Sequence, residues 1–173
     1  MTRLLFLLVW LSSIHISFAQ DRGFKPVQGG TAPKGTERRL ALVVSYASYA
    51  TTGLSLKNPT NGASDISAAL DKLGFRVMLV KDADYRTLVS AINDFTDQLR
   101  KLDVGLLYYS GHGIGYQNEI YLVPTDANLT YENQVASQCV SFRRLMDGMS
   151  GAGNANNFVF LDACRNNTLL PNQ

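Results

Sequence analysis

The feature that most constrains the fold is a series of short apolar segments separated by amphipathic ones, beginning near residue 40. Four segments are almost continuously apolar or aromatic: residues 40–44, 75–80, 104–109 and 158–161. Such runs are typical of strands buried on both faces. Residues 64–73 and 85–102 instead carry apolar side chains at the spacing of one helix face. Strands that alternate with helices predict an α/β fold of three layers, a mainly parallel sheet flanked by helices.

Residues 1–19 have the features of a secretory signal peptide. A basic start at Arg3 precedes an apolar run from Leu4 to Leu11, and Ser17-Phe18-Ala19 places small residues where signal peptidase cleaves. A short membrane anchor is the alternative, but the run is shorter than the roughly 20 apolar residues that span a bilayer. We therefore predict an exported protein, periplasmic or extracellular, with no stable membrane insertion after the signal is cleaved.

Residues 20–38 are rich in Gly, Pro, Lys and Thr with little periodicity, so we interpret them as a linker. The folded domain is then predicted at residues 39–173. A chain of this length can bury roughly two thirds of its unfolded surface, so it needs neither a metal nor a disulfide to fold.

Charge and residue counts argue against two kinds of partner. The signal segment contains one of the 16 basic residues and none of the 14 acidic ones, so the mature chain is nearly neutral. It has no basic stripe with interleaved aromatic residues, which argues against nucleic acid. The two histidines, two cysteines and absence of a CxxC pair argue against a zinc site. Because His15 leaves with the signal, any His–Cys chemistry must use His112.

Two polar clusters follow the predicted strands at 104–109 and 158–161. The first contains Ser110 and His112, and the second contains Asp162 and Cys164. Ligands bind beyond the carboxyl ends of parallel strands, so His112 and Cys164 are expected to meet at one edge of the sheet. An imidazole base beside a thiol is the arrangement that nucleophilic catalysis requires. Either residue alone is more often structural, and their pairing at two strand ends favours a His–Cys site.

Glycines flank the histidine on both sides. Gly111 and Gly113 are expected to let the backbone turn sharply after the strand and to hold the imidazole over a cleft. Their amides, together with the amide of Cys164, are candidate donors to an oxyanion.

The two clusters resemble the catalytic motifs of the caspase-like superfamily, with bacterial caspase-family proteins and metacaspases nearest in pattern. The matching segments are residues 108–113 (YYSGHG) and 161–167 (LDACRNN). The caspase signature Q-A-C-[RQG]-G has a histidine about 50 residues upstream. Here the histidine lies 52 positions upstream, and Asp162 and Asn166 replace the signature's Gln and Gly. Weaker similarity at 39–44, 56–59 and 121–126 extends the resemblance over about residues 38–168.

This resemblance implies a cysteine endopeptidase that acts on polypeptides. His112 would activate Cys164, which would attack a peptide carbonyl to form an acyl-enzyme, and the amides of Gly113 and Cys164 would hold the oxyanion. Asp162 and Ser110 would line the P1 pocket, which favours Arg or Lys in metacaspases. Alternatively, Asp162 only holds the cysteine loop in place. Calcium is the one cofactor that the resemblance suggests, and no motif supports it.

Two departures from the family pattern bear on activity. Relatives commonly read Asn-Asp-Ala where this chain has Asn61-Gly62-Ala63, so one acid that shapes the P1 pocket is absent. Ser45 and Tyr46 stand where relatives usually carry Gly-Asn, which would change the floor of the cleft.

A further departure concerns the sheet beyond Cys164. Caspase-like domains continue with further strands, so the C-terminal part of this fold is expected to be missing from the sequence and to come from a longer chain or a partner chain. A catalytically weak or inactive module that binds peptides or partners is therefore an alternative function. A generic α/β binding domain is a third hypothesis, but it leaves the paired motifs unexplained.

Overall fold

The computed structural model of the chain describes residues 37–51, 54–56 and 59–165. Side chains are described throughout these ranges except at residues 59–61, 164 and 165. The predicted signal peptide and most of the predicted linker lie outside the described residues.

Strands and helices alternate as the apolar pattern predicts. The strands are β1 Arg39–Ser45, β2 Phe75–Lys81, β3 Val104–Tyr116, β4 Glu119–Leu122, β5 Val140–Ser141 and β6 Asn156–Arg165. The helices are α1 Pro59–Lys72, α2 Tyr85–Leu99, α3 Val135–Gln138 and α4 Phe142–Gly151, and a 3-10 turn at Glu132–Gln134 precedes α3.

The sheet is mixed, with a parallel part and an antiparallel extension. Strands β2, β1, β3 and β6 are parallel and lie side by side in that order. Strand β4 pairs antiparallel with the last four residues of β3, and β5 pairs antiparallel with β4. This α/β arrangement confirms the predicted mainly parallel sheet flanked by helices.

Apolar side chains on the two faces of the sheet form separate cores. Alternate residues of β1 point to opposite faces, so Leu40, Leu42 and Val44 join one cluster, and Ala41 and Val43 join the other. The larger cluster contains the buried faces of α2 and α4, and the smaller one contains Ala63 and Leu70 of α1. Helices therefore cover both faces, as a three-layer fold requires.

Strand β3 is seven residues longer than its apolar run predicts. The run ends at Tyr109, but β3 continues through Ser110–Gly115 to Tyr116. Glycine is weak in strands, so this stretch was predicted to turn. It is held extended because β4 pairs with residues 113–116 and β6 pairs with β3 as far as Gly113.

The sharp turn expected at Gly111 and Gly113 is wrong for the same reason. The described glycines with positive φ are Gly74 and Gly153. The chain reverses instead at Gln117 and Asn118, whose φ angles are 48° and 62°. Two consecutive positive φ angles are typical of the tight turn that joins two hairpin strands.

Among the described residues, no helix combines the length and apolar character needed to cross a bilayer.

Candidate active site

The structure brings the backbone positions of His112 and Cys164 together. They are register partners on the adjacent parallel strands β3 and β6. Neighbouring strands lie roughly 4.8 Å apart, and paired positions of parallel strands share a face of the sheet. Strand β6 runs to Arg165, beyond the predicted end at Leu161, so Cys164 lies within the strand. Both residues are thus held by strand pairing.

One hydrogen bond of the His112 ring identifies its free nitrogen. The Nε2 atom lies 2.7 Å from the carbonyl oxygen of Leu54. A carbonyl oxygen can only accept, so Nε2 carries the proton in this hydrogen bond and Nδ1 of the neutral ring does not. We therefore assign Nδ1 as the nitrogen available to take a proton.

The backbone of His112 is held by two phenols. Its N–H donates to Tyr49 Oη at 2.9 Å, and its carbonyl oxygen accepts from Tyr109 Oη at 2.7 Å. The rings of Tyr49 and His112 also lie 4.8 Å apart between centroids, tilted by 49°. Because His112 is only 8% exposed, these contacts rather than water surround it.

Three tyrosine rings contact one another next to the histidine. The ring of Tyr46 lies 5.7 Å from that of Tyr49 and 5.9 Å from that of Tyr109. Burial raises the pKa of all three phenols far above the ordinary value. They therefore stay protonated, and their hydroxyls remain available as donors.

Gly111 allows close approach rather than a turn. A Cβ atom added at this position would lie 2.9 Å from Tyr109 Oη and 3.0 Å from Tyr46 Cδ2. Any larger residue would therefore push the Tyr109 hydroxyl away from the carbonyl oxygen of His112.

The predicted pocket residues occupy a row two residues before the predicted dyad positions. Ser110 and Asp162 are register partners on β3 and β6, and Ser45 is the partner of Ser110 on β1. Ser110 Oγ donates to Asp162 Oδ2 at 3.3 Å. Asp162 is exposed, whereas Ser110 and Ser45 are buried. The row thus presents one solvent-accessible carboxylate about two residues along the strand from the dyad.

The predicted oxyanion residue Gly113 lies where three strands meet. Gly113 pairs with both Leu122 and Arg165, so its backbone lies between β4 and β6 at the end of the parallel ladder.

Cys139 is a buried free thiol. Burial raises the pKa of this thiol to about 12, which makes it a poor nucleophile. Within the described ranges, no group of three or more His, Cys, Asp or Glu residues is placed to hold a metal ion.

Three groups that hold His112 are not predicted from the sequence. The sequence places Tyr109 in an apolar strand and in the motif at 108–113 but assigns its hydroxyl no role, and it offers no prediction for Tyr49. Leu54 acts through its carbonyl oxygen, for which the sequence offers no side-chain signal.

Comparison with known proteins agrees with the resemblance found in the sequence. The family model of the caspase domain matches residues 38–173. The human mucosa-associated lymphoid tissue lymphoma translocation protein 1 and its mouse homolog are each 28% identical over 127 residues. That match covers 73% of this chain and 15% of each relative, so the chain spans a small part of their length.

The fold also matches a solved structure. The crystal structure of a Geobacter sulfurreducens protein, a structural genomics target, aligns with a TM-score of 0.55 at 17% sequence identity. The alignment covers 73% of this chain and 50% of that one. At this level of identity, the match supports the fold alone.

Proposed function

Because this chain belongs to the caspase domain family of peptidases, we propose that it is a cysteine endopeptidase with His112 and Cys164 as its dyad. The observation that carries the proposal is the register pairing of these two positions on β3 and β6. The family match and the two lymphoma translocation relatives support a cysteine protease at the family level. The particular dyad is our inference.

The first step of the reaction is proton transfer from the thiol. Nδ1 of His112 takes the proton of Cys164, and the hydrogen bond from Nε2 to Leu54 O stabilises the resulting imidazolium. The thiolate then attacks the scissile carbonyl carbon, and the backbone amides of Gly113 and Cys164 donate to the oxyanion.

Collapse of the tetrahedral intermediate completes the acylation. The C–N bond breaks, the imidazolium gives its proton to the leaving amine, and the acyl group stays on the sulfur as a thioester. Water then attacks this thioester with His112 again as the base, which releases the acid product and regenerates the thiol.

We propose a preference for Arg or Lys at P1, supported by the exposed carboxylate of Asp162. Ser110 Oγ donates to this carboxylate and fixes its orientation. A guanidinium group can donate two parallel hydrogen bonds to such a carboxylate. With Gly62 in place of an acid, one of the two charges that the resemblance leads us to expect in the pocket is absent, so we expect the preference to be modest.

We also propose that a further strand pairs with the outer edge of β6, either from a partner chain or from continuing polypeptide. Among the described strands, β6 pairs with β3 alone. Phe158 and Phe160 on this strand are 49% and 54% exposed. An unprotected edge with large apolar side chains favours strand addition.

The same edge favours a second candidate function, a protein-interaction module with little or no catalysis. In that case β6 would bind an extended segment of a partner by strand addition. Export through the predicted signal peptide would place either function outside the cytoplasm, in the periplasm or beyond the cell.

Selective alkylation of the cysteines tests the proposal. The chain is treated with iodoacetamide at neutral pH, and mass spectrometry follows the labelling of the Cys164 and Cys139 peptides separately. We expect Cys164 to react at least ten times faster, and His112→Ala to slow it to the rate of an ordinary thiol. Equally slow labelling of both cysteines would contradict an activated thiol and favour the interaction module.

Peptide substrates then test specificity. Fluorogenic peptides with Arg, Lys or Asp at P1 are compared, with Cys164→Ala as the inactive control. Cleavage after Arg and Lys that is lost in the control supports the proposed preference. Cleavage only after Asp would overturn the role assigned to Asp162.

A further inference from the structure

Two tyrosines are hydrogen-bonded to the backbone of His112. His112 N–H donates to Tyr49 Oη, and Tyr109 Oη donates to His112 O. Both hydrogen bonds are buried, where a hydrogen bond is electrostatically stronger than in water.

Tyr49 holds the imidazole as well as the backbone. Its ring lies 4.8 Å from the imidazole between centroids, which restricts rotation of the imidazole about its bond to Cβ. Leu54, only five residues further along the chain, supplies the carbonyl that fixes Nε2. One connecting segment after β1 therefore sets the position, the ring angle and the proton location of His112.

That segment is itself anchored on either side of Tyr49. The amides of Ala47 and Ser48 donate to Asp82 Oδ1 at 2.7 and 2.9 Å. The amide of Ala50 donates to Thr125 O at 2.9 Å. Tyr49 is thus presented to His112 by a fixed backbone, so its hydroxyl has a definite place.

We propose that Tyr49 is a positioning residue that keeps the His112 ring in the Nε2-protonated form with Nδ1 directed toward Cys164. A phenylalanine would fill the same volume in the core, so the role of the hydroxyl is separable from packing. The catalytic consequence rests on the proposed peptidase function, but the orientation of His112 does not. The two are therefore tested by different measurements.

The first measurement is nitrogen NMR of the full chain labelled with 15N-histidine. The chain contains two histidines, and the His112 signals are those lost in His112→Gln. With the ring neutral, we expect the native chain to show a protonated Nε2 and an unprotonated Nδ1. In Tyr49→Phe we expect a mixture of the two tautomers, and Tyr85→Phe, which removes the hydroxyl of a tyrosine on α2, serves as the matched control.

The second measurement is the alkylation rate of Cys164 as a function of pH. We expect Tyr49→Phe to lower the rate about tenfold at neutral pH, with Tyr85→Phe unchanged. For peptide cleavage, we expect kcat to fall about tenfold with little change in KM, because the hydrogen bond and ring contact of Tyr49 are made to His112.

The outcomes separate the two proposals. An altered His112 tautomer in Tyr49→Phe, with no activated thiol in the native chain, would overturn the peptidase and leave Tyr49 as the positioning residue. An activated Cys164 whose rate and His112 signals are unchanged in Tyr49→Phe would overturn the positioning role alone.

A second variant covers the case in which Tyr49→Phe does not fold. Site-specific 3,5-difluorotyrosine at position 49 keeps the shape of the side chain but makes Oη a weaker acceptor. We expect it to shift the backbone amide signal of His112 and to slow alkylation of Cys164. No change in either would overturn the proposal.

Discussion

At the scale of single residues, His112 is defined by the groups that hold it. Its backbone is bonded to two phenols, its ring to one carbonyl, and its side chain is almost fully buried. Such surroundings leave one nitrogen, Nδ1, free to exchange a proton. Catalytic groups need this kind of fixed geometry, because a misplaced base cannot reach its proton.

Cys139 provides a prediction at this scale. Burial raises its pKa to about 12, whereas an unfolded cysteine titrates near 8.5. At pH 8 the folded chain should therefore alkylate at Cys139 on the order of 1000-fold more slowly than an unfolded chain. The measurement is the labelling rate of the Cys139 peptide in a Cys164→Ala background, in buffer and in denaturant.

The same shift has a consequence for stability. Between about pH 8.5 and 12, the unfolded chain has lost the Cys139 proton and the folded chain retains it. Stability therefore falls as the pH rises through this window. Replacement of Cys139 by Ala should weaken that pH dependence in denaturant titrations, and an unchanged slope would show that Cys139 is not buried in solution.

At the scale of elements, the first turn of α1 bears on both stability and specificity. Its first turn contains no acidic residue, although a negative charge there interacts favourably with the helix dipole. Gly62 lies in this region, and a Cβ atom at that position would meet nothing within 4 Å. The helix thus has room for the carboxylate that the resemblance to caspase-like proteins leads one to expect.

Gly62→Asp should therefore raise both stability and basic specificity. We expect the free energy of unfolding to increase by about 0.3–1 kcal/mol from the dipole interaction. We also expect the ratio of kcat/KM for Arg over a neutral P1 residue to rise several-fold, the range of an exposed ion pair. Gly62→Asn, of equal size and without charge, is the control, and equal ratios for the two variants would contradict the second expectation.

The sequence alone predicts those strands and helices that are marked by an apolar or amphipathic pattern of their own residues. The apolar runs of β1 and β2 and the amphipathic face of α2 were each located to within a few residues. The ends of β3 and β6 were not, because their last residues are extended only through pairing with strands distant in the chain. The contact of Leu54 with His112 was also beyond prediction, since it uses a backbone atom.

At the scale of the whole molecule, the sheet is covered unevenly. Phe95 of α2 is fully buried in the larger cluster, whereas Phe158 at the edge strand is 49% exposed. The parallel sheet is thus well protected at its centre and open along β6. This asymmetry marks where a further strand would add.

A pair of alanine substitutions measures that asymmetry. Phe95→Ala should cost about 3–5 kcal/mol of unfolding free energy, because it leaves a cavity in a packed core. Phe158→Ala should change it by less than about 0.5 kcal/mol, as at other surface positions. Both are measured by denaturant unfolding at low protein concentration. A large loss from Phe158→Ala would show that this side chain is covered in solution.

Strand β3 gives the molecule a particular order of events during folding. It pairs with β1 through residues more than 60 positions earlier, and with β6 through residues about 50 positions later. Such distant pairings form slowly, because long loops must close before any contact compensates their entropy. A chain that folds while it is synthesised makes β1 and β3 before β6, so the strand that holds His112 can pair first. Under the dyad that we propose, such a chain would have its imidazole in place before its thiol.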